Sequence, residues 1–432
     1  PGIAAPSPPN CSAPACRPRQ LRILLLIPTH SYRVADFMAA ARKENAEVII
    51  GTDQTLEALP KGATFVVDFA DPETGLRQVM AHCEQFPVDG VIGVDEVTLT
   101  LAARAAKALG LKGNEVDVVA AAINKLEFRR TLKDAGLPVP EFKHIPAAAT
   151  AAEGLHGLPY PCVLKPTGLS ASRGVMRANN SGEAEEAIRR IRDILDAPGA
   201  DGAPALDKDI IAEAFIPGAE FALEGILEDG RLTKLALFEK PDPLDGPYFE
   251  ETIYLTPPRL SEERQADILR AVQSAAGALG LTEGPVHAEL RLDLDADSGD
   301  NQGPLLIELA PRTIGGHCGR SLNFTSGQSL EEIVVRHALG RHFEADLSDE
   351  ASGVMMIPIP NGGTLRQIDG LEAARATLHV TEVTISIPIG GDVIPWPEGF
   401  RYLGFIFAVA ADPDTVEAAL RQAHAALEFQ ID

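Results

Sequence analysis

Aromatic residues are scarce in this chain: they make up 5% of 432 residues, with a single tryptophan. Cysteine is rarer. The five residues at positions 11, 16, 83, 162 and 318 are too scattered for a disulfide framework or a zinc site. Such usage suits free thiols in a reducing cytosol, so a cytoplasmic protein is expected. Positive charge is in the minority, with 38 Lys and Arg against 62 Asp and Glu and a formal charge of −24. A field of that sign disfavours nucleic acid and anionic membranes as partners. It leaves room for a phosphate site built from a few cations and backbone N–H groups. No apolar run reaches the ~20 residues of a membrane span. Residues 1–20 are rich in Pro and Ala and lack the apolar stretch of a secretory signal; they predict a disordered N-terminal extension. Neither G-x-G-x-x-G nor G-x-x-x-x-G-K-[ST] occurs, which removes the dinucleotide and P-loop fingerprints.

The length predicts roughly three domains. Residues 21–115 alternate buried-strand runs (LRILLLI, AEVIIG, ATFVVDF, DGVIGVD) with helical stretches, the pattern of an open parallel α/β sheet. Ligands bind such sheets at the strands' C-terminal ends. Thr29, His30, Ser31, Asp95 and Glu96 stand there, as ligand contacts or as ordinary turn residues. Residues 116–345 contain antiparallel strand patterns and form a second domain. The acidic stretch at 344–353 marks a boundary, and residues 346–432 read as a small α+β module.

Three motifs carry chemistry. In the first, a strand ends in Lys165, and TGLSASRGV follows, with Gly168, Ser170, Ser172 and Gly174; a cationic strand end beside a Gly/Ser loop suits phosphate. The second is the segment PYFEETIYLTPP (247–258), which reads as extended, Glu251 sharing a face with Phe249 and Ile253. The third is a hairpin spanning His287–Arg312. On its first strand Ala288, Leu290 and Leu292 face one way and His287, Glu289, Arg291 and Asp293 the other. On its second strand strict alternation groups Leu305, Ile307 and Leu309 against Leu306, Glu308 and Ala310. Glu289 and Glu308 then meet on adjacent strands, with Arg312 just beyond. Facing carboxylates repel unless a cation lies between them, and Mg²⁺ takes carboxylate oxygens and substrate phosphates together. The other reading is a solvated hairpin whose carboxylates face water. The Gly-rich TIGGHCGRSLN that follows supplies an acceptor pocket or a plain turn.

The order of these motifs, with A-E-A-F-I-P-G-A-E-F between them, resembles the ATP-grasp superfamily over residues 21–345. Within it the chain is similar to carboxylate–amine ligases such as the bacterial L-amino acid ligases, whose second type of C-terminal domain the Y-L-G-F-I-F-A stretch resembles. The resemblance implies an α/β and α+β multidomain ATP-grasp fold with an N-terminal parallel-sheet domain. Lys125 and Lys165 would contact ATP phosphates, Lys165 also lying near the adenine, and Ser170, Ser172 and Gly174 would close over them. Glu213 with the backbone of Phe215 and Ile216 would recognise adenine, and Glu220 the ribose. Glu289 and Glu308 would hold Mg²⁺ (or Mn²⁺), and Arg312 a phosphate. Two positions depart from the pattern: Ala310 where many members have Asn, and Tyr254 where His often follows the Glu of the 247–258 segment.

The implied reaction joins a carboxylate and an amine through an acyl phosphate, with ADP and phosphate released. Arg312, Lys165 and Glu251 would act in it, and Glu96, Glu251, Tyr254, Gly315, Gly316 and His317 would contact substrates. The partners are small-molecule carboxylates and amines, with a homodimer as the commonest soluble assembly. Two other readings stand beside it: a different ATP-grasp enzyme (a biotin-dependent carboxylase subunit or a purine-pathway carboxylase or formyltransferase), and a non-catalytic ATP-binding regulator.

Overall fold

The computed structural model describes residues 20–54, 62–197, 207–294 and 303–432. The expected N-terminal extension, apart from Gln20, lies outside them, as do Cys11 and Cys16.

The N-terminal sheet is parallel, in the order Thr64–Val66, Glu47–Thr52, Arg22–Leu26, Gly90–Gly93. Ile23, Leu24, Leu25 and Leu26 are fully buried, as expected of a strand covered on both faces. The helices Pro72–Gln85 and Glu96–Leu109 cover one face. Val34–Lys43 covers the other, together with Leu330–Ala338, whose Val334 and Val335 join the same core. The last helix therefore returns from far along the chain to finish the first domain. Gly90 permits that approach: a Cβ there would stand 2.5 Å from the Ala338 carbonyl oxygen.

A second, antiparallel sheet orders Phe142–Ile145, Ile210–Ala214, Cys162–Pro166 and Met176–Ala178. The helix Ser181–Asp196 covers it with Ile188 and Ile191. The third sheet has eight antiparallel strands, in the order Leu305–Ala310, Gly284–Leu292, Ala219–Glu228, Arg231–Lys240, Ile253–Thr256, Ala351–Ile357, Gly404–Ala410, Val380–Ile385. It runs through the boundary expected at 345/346, because Ile253–Thr256 pairs with Ala351–Ile357. Among the described residues no helix is long and apolar enough to cross a membrane.

Two local expectations need correction. Residues 249–252 are irregular and the strand begins at Ile253, so Glu251 is placed by a loop and not by strand alternation. Strict alternation also fails on Leu305–Ala310. Glu289 pairs with Glu308, but Leu290 pairs with Leu306, so the strand bulges at Ile307. Leu306 and Leu309 both reach the core beneath the sheet, while Ile307 turns to the opposite side with Glu308. An extra residue in one strand leaves backbone groups out of the ladder. Here the Arg129 guanidinium donates to the carbonyls of Leu306 (2.8 Å) and Ile307 (3.0 Å).

Candidate active site

The two antiparallel sheets enclose a cleft of about 700 Å³ that opens toward the C-terminal ends of the parallel strands. One wall carries Lys125, Arg129 and Lys165 with Glu213. Lys165, at the end of Cys162–Pro166, lies 2.7 Å from Glu213 on the neighbouring strand. Arg129 donates to the same carboxylate from the helix Lys125–Asp134. Burial alone would raise the Glu213 pKa; Arg129 and Lys165 outweigh it and hold the carboxyl at about 2. Asn124 caps that helix by accepting from the N–H groups of Leu126 and Glu127. The cap sets Lys125 at the cleft, where its Nζ donates to the Leu169 carbonyl (2.5 Å) and stands 3.9 Å from Glu308. The backbone of Lys125 donates to Thr167 (2.9 Å), so the root of the Gly/Ser loop is fixed.

The other wall is built by cross-strand pairing. Directly opposite on neighbouring strands stand Arg291 and Glu220, His287 and Glu224, and Lys240 and Glu220. Such pairs meet at close range on one face. Lys240 Nζ contacts Glu220 at 2.7 Å, Glu289 at 2.7 Å and, from the loop before Ile253, Glu251 at 2.9 Å. Oxygens of these three carboxylates lie within 4.8 Å of one another. Arg291 holds the second oxygen of Glu220 at 2.9 Å, and His287 bonds Glu224 at 2.6 Å. Burial would lower the His287 pKa, but Glu224 and Glu289 carry it up to about 9, so the ring is a buried imidazolium. Burial raises the Glu251 pKa, with Glu289 adding to the effect; Lys240 and His287 keep Glu289 ionised. The Tyr254 hydroxyl donates to Glu251 at 2.6 Å.

Glu289 and Glu308 sit opposite each other on adjacent strands, and both line the cleft. Arg312 closes this end. It donates to Glu96 (3.2 Å), which links the first domain to the site. Burial works against its charge, but Glu96 and Glu308 hold it firmly protonated. The Gly-rich turn follows: Gly316 donates its N–H to the Tyr32 hydroxyl at 2.7 Å, and the His317 ring lies between Tyr32 and Phe405, with centroids at 4.5 and 5.0 Å.

Of the residues singled out from sequence, Lys125, Lys165, Ser170, Ser172, Glu213, Phe215, Ile216, Glu220, Glu251, Tyr254, Glu289, Glu308 and Arg312 all line this one cleft. So do His30, Ser31, Asp95, Glu96, Gly315, Gly316 and His317. Two do not. Thr29 is turned to Asp53, bonded through its N–H (2.6 Å) and hydroxyl (3.2 Å), and caps a loop. Gly174 faces the C-terminal module, its N–H donating to the Pro397 carbonyl (2.9 Å). Two backbone groups expected to meet adenine already have partners: the Phe215 N–H donates to Pro161 (3.0 Å), and the Ile216 carbonyl accepts from Arg291 (2.9 Å). Sequence reasoning missed Arg129 and Lys240, and it set His287 and Arg291 on the face of Glu289 without giving them a role. For Lys240 the Asp229-Gly230 turn gives only part of a signal: counting back from it brings Lys240 opposite Ala219, and a bulge between Lys234 and Ala236 shifts it to Glu220.

Glu289 and Glu308 suit a hard cation in their chemistry: two carboxylates in register, one of them approached only at 3.9 Å by Lys125 among the described cations. Glu220, Glu251 and Glu289 all contact Lys240, so a cation at Glu289 would share that carboxylate with Lys240.

Comparison with known proteins assigns each region. Residues 158–321 match an ATP-grasp domain, residues 38–113 an ATP-grasp N-terminal domain, and residues 355–432 the L-amino acid ligase C-terminal domain 2. Alanine–anticapsin ligase of Bacillus subtilis is 27% identical over 289 residues, covering 64% of this chain and 59% of that protein's length. This chain therefore spans less than two thirds of that relative. D-alanine–D-alanine ligase of Paracidovorax citrulli is 26% identical over 54% of this chain and 67% of its own. Among solved structures, L-amino acid ligase from Bacillus licheniformis superposes with a TM-score of 0.78 at 28% identity, covering 96% of this chain and 99% of the other. N5-carboxyaminoimidazole ribonucleotide synthetase from Thermotoga maritima, at 17% identity and a TM-score of 0.68, shares the fold. The chain thus carries an ATP-grasp domain over residues 158–321 and is similar to a bacterial L-amino acid ligase over 96% of its length.

Proposed function

We propose that this protein is an ATP-dependent carboxylate–amine ligase that forms an amide or peptide bond between amino acid-like substrates. The observation that carries the reading is the pairing of Glu289 with Glu308 in one register, in a cleft that also holds Lys125, Lys165 and Arg312. A cationic wall suits a triphosphate, and two facing carboxylates suit the divalent ion that accompanies it. Mg²⁺ or Mn²⁺ held by Glu289 and Glu308 would neutralise charge on the transferring phosphoryl group.

In this reading the first substrate's carboxylate oxygen attacks the γ-phosphorus, and ADP leaves. Lys165 and Arg312 stabilise the equatorial oxygens as their charge changes. The amine of the second substrate then attacks the acyl carbon, and phosphate leaves as the C–N bond forms. The attacking ammonium must first lose a proton, and Glu251, whose carboxyl burial makes more basic, takes it. Ser170 and Ser172 cover the phosphates and keep water from the acyl phosphate. Glu96, Tyr254 and the Gly315–His317 turn bound the space for the substrates.

The C-terminal domain match supports amide formation over the carboxylase and formyltransferase readings of the same fold. The buried free thiols of Cys83, Cys162 and Cys318 agree with a reducing, cytoplasmic setting, and a homodimer completes the proposal. Phosphate release measured with ATP, Mg²⁺ and a matrix of amino acid pairs tests it. Release that depends on both partners, with an amide product by mass spectrometry, is the expected result. Release dependent on bicarbonate or formate, or none with any pair, overturns it.

A further inference from the structure

The loop 167–175 does not stand alone over the cleft. Four contacts tie it to one segment of the C-terminal module, more than 220 residues away. The Trp396 indole N–H donates to the Ala171 carbonyl at 3.2 Å. The Gly174 N–H donates to the Pro397 carbonyl at 2.9 Å. Arg173 donates through Nε to the Glu398 carbonyl at 3.2 Å and lies 5.5 Å over the Phe400 ring. The loop's backbone is shaped for this: Ala171 and Ser172 adopt φ of 57° and 53°, which L side chains take up at a cost. At Gly174, with φ of 73°, a Cβ would meet Pro166 at 2.8 Å. A strained loop of this kind keeps its shape only where the surroundings impose it, and residues 396–400 are those surroundings.

The same segment reaches the other half of the site. The Trp396 ring packs on Tyr402, with centroids 4.9 Å apart, and the Tyr402 hydroxyl lies 3.5 Å from Glu251. The Glu398 side chain anchors the segment to the helix Ser181–Asp196 through a paired contact with Arg190, at 2.5 and 2.8 Å. One stretch of seven residues thus touches the phosphate-covering loop at one end and the proposed amine-activating carboxylate at the other.

We propose that residues 396–402 are a positioning latch, which holds the loop 167–175 shut over the acyl phosphate and couples that closure to the amine subsite at Glu251. Trp396 and Glu398 are positioning residues; neither touches the reacting atoms. The proposal rests on the ligase reading. Its chemical consequence is a partition: with the latch intact the acyl phosphate waits for the amine, and with it loosened water competes. Hydrolysis of the intermediate then consumes one ATP and one water and returns the free carboxylate, so phosphate appears without amide.

The test uses the full chain and an amino acid pair that the wild type joins. Phosphate released per amide formed is expected to lie near one in the wild type. It should rise at least threefold in Trp396→Phe, which keeps an aromatic ring but loses the N–H donor, and in Glu398→Ala. The exchange Arg190→Glu with Glu398→Arg should restore the ratio. Trp396 is the chain's sole tryptophan, so its fluorescence reports the latch directly. Acrylamide quenching should rise at least twofold in Glu398→Ala and return toward wild type in the exchanged pair. A variant that slows phosphate and amide equally, leaving the ratio near one, overturns the latch and leaves the ligase reading intact. So does a ratio that rises while quenching stays unchanged. A wild type that releases no phosphate with any pair sinks the ligase reading, and the latch with it.

Discussion

The cleft has a charged cluster on each wall, and the two are balanced in opposite senses. On one wall Glu213 alone answers Arg129 and Lys165, with Lys125 close by. On the other, Glu220, Glu224, Glu251 and Glu289 gather around Lys240, Arg291 and His287. The first wall therefore carries spare positive charge and the second spare negative charge, in a protein whose overall charge is −24. A buried charge is costly unless it is paired, so each surplus marks where a ligand of the other sign is worth most. On the ligase reading a triphosphate would lie against the first wall, and a metal ion or an ammonium against the second.

Removing one carboxylate from the junction between the walls should have the largest effect. Glu308→Ala takes away the partner of Glu289 and the nearest anion to Lys125. ATP turnover should fall by on the order of a thousandfold, with the thermal melt within a few degrees of wild type. Turnover at the wild-type rate would remove Glu308 from the metal reading.

The cationic wall can be broken by acid. The Glu213 carboxyl lies at about 2, below its ordinary 4.5. Its stabilisation is thus complete above about pH 4.5 and disappears as pH falls toward 2. The shift corresponds to about 3 kcal/mol. Glu213→Gln should remove most of that acid dependence and cost about 3 kcal/mol at neutral pH, since Arg129 is left buried with half its partners. Denaturant unfolding at several pH values measures both. An unchanged slope of stability against pH in the variant would deny the pairing its role.

The anionic wall is probed by Glu251→Gln, which keeps shape and the Tyr254 contact but not the proton acceptor. Amide formation should slow by about a hundredfold, with ADP formation in the first turnover slowed less. If both slow equally, Glu251 acts in binding and not on the proton.

The two walls were not equally legible in sequence. Lys165 ends a strand just before the Gly/Ser loop, and Glu289 and Glu308 share a hairpin, so local pattern reached them, whereas Glu213 came only from the family resemblance. Lys240 is hidden by a bulge: the Asp229-Gly230 turn alone would set it opposite Ala219, and the shift between Lys234 and Ala236 brings it to Glu220. Glu251 meets it from a loop, which no period describes. The bulge at Ile307 defeated alternation because its carbonyls are satisfied by Arg129, almost 180 residues earlier in the chain. Arg129 itself reads as one of two arginines on an amphipathic helix; the fold buries it and leaves Arg130 half exposed. The same limit hid the continuous eight-stranded sheet, since strand composition gives no account of which distant strand pairs with Ile253–Thr256.

A contrast within one loop sharpens where the site ends. Thr29, His30 and Ser31 are adjacent and equally placed for a ligand by strand topology, yet only His30 and Ser31 line the cleft. Thr29 spends both its N–H and its hydroxyl on Asp53, whose carboxyl these bonds hold below its ordinary range even though partial burial opposes it. Thr29→Val keeps the side-chain volume and the backbone bond and loses the hydroxyl bond alone. The loss should cost about 1 kcal/mol, read as a small fall in the denaturation midpoint, with kcat and KM for ATP within twofold of wild type. A large change in KM would mean that the loop's geometry, and not only its inward-facing residues, is part of the binding surface.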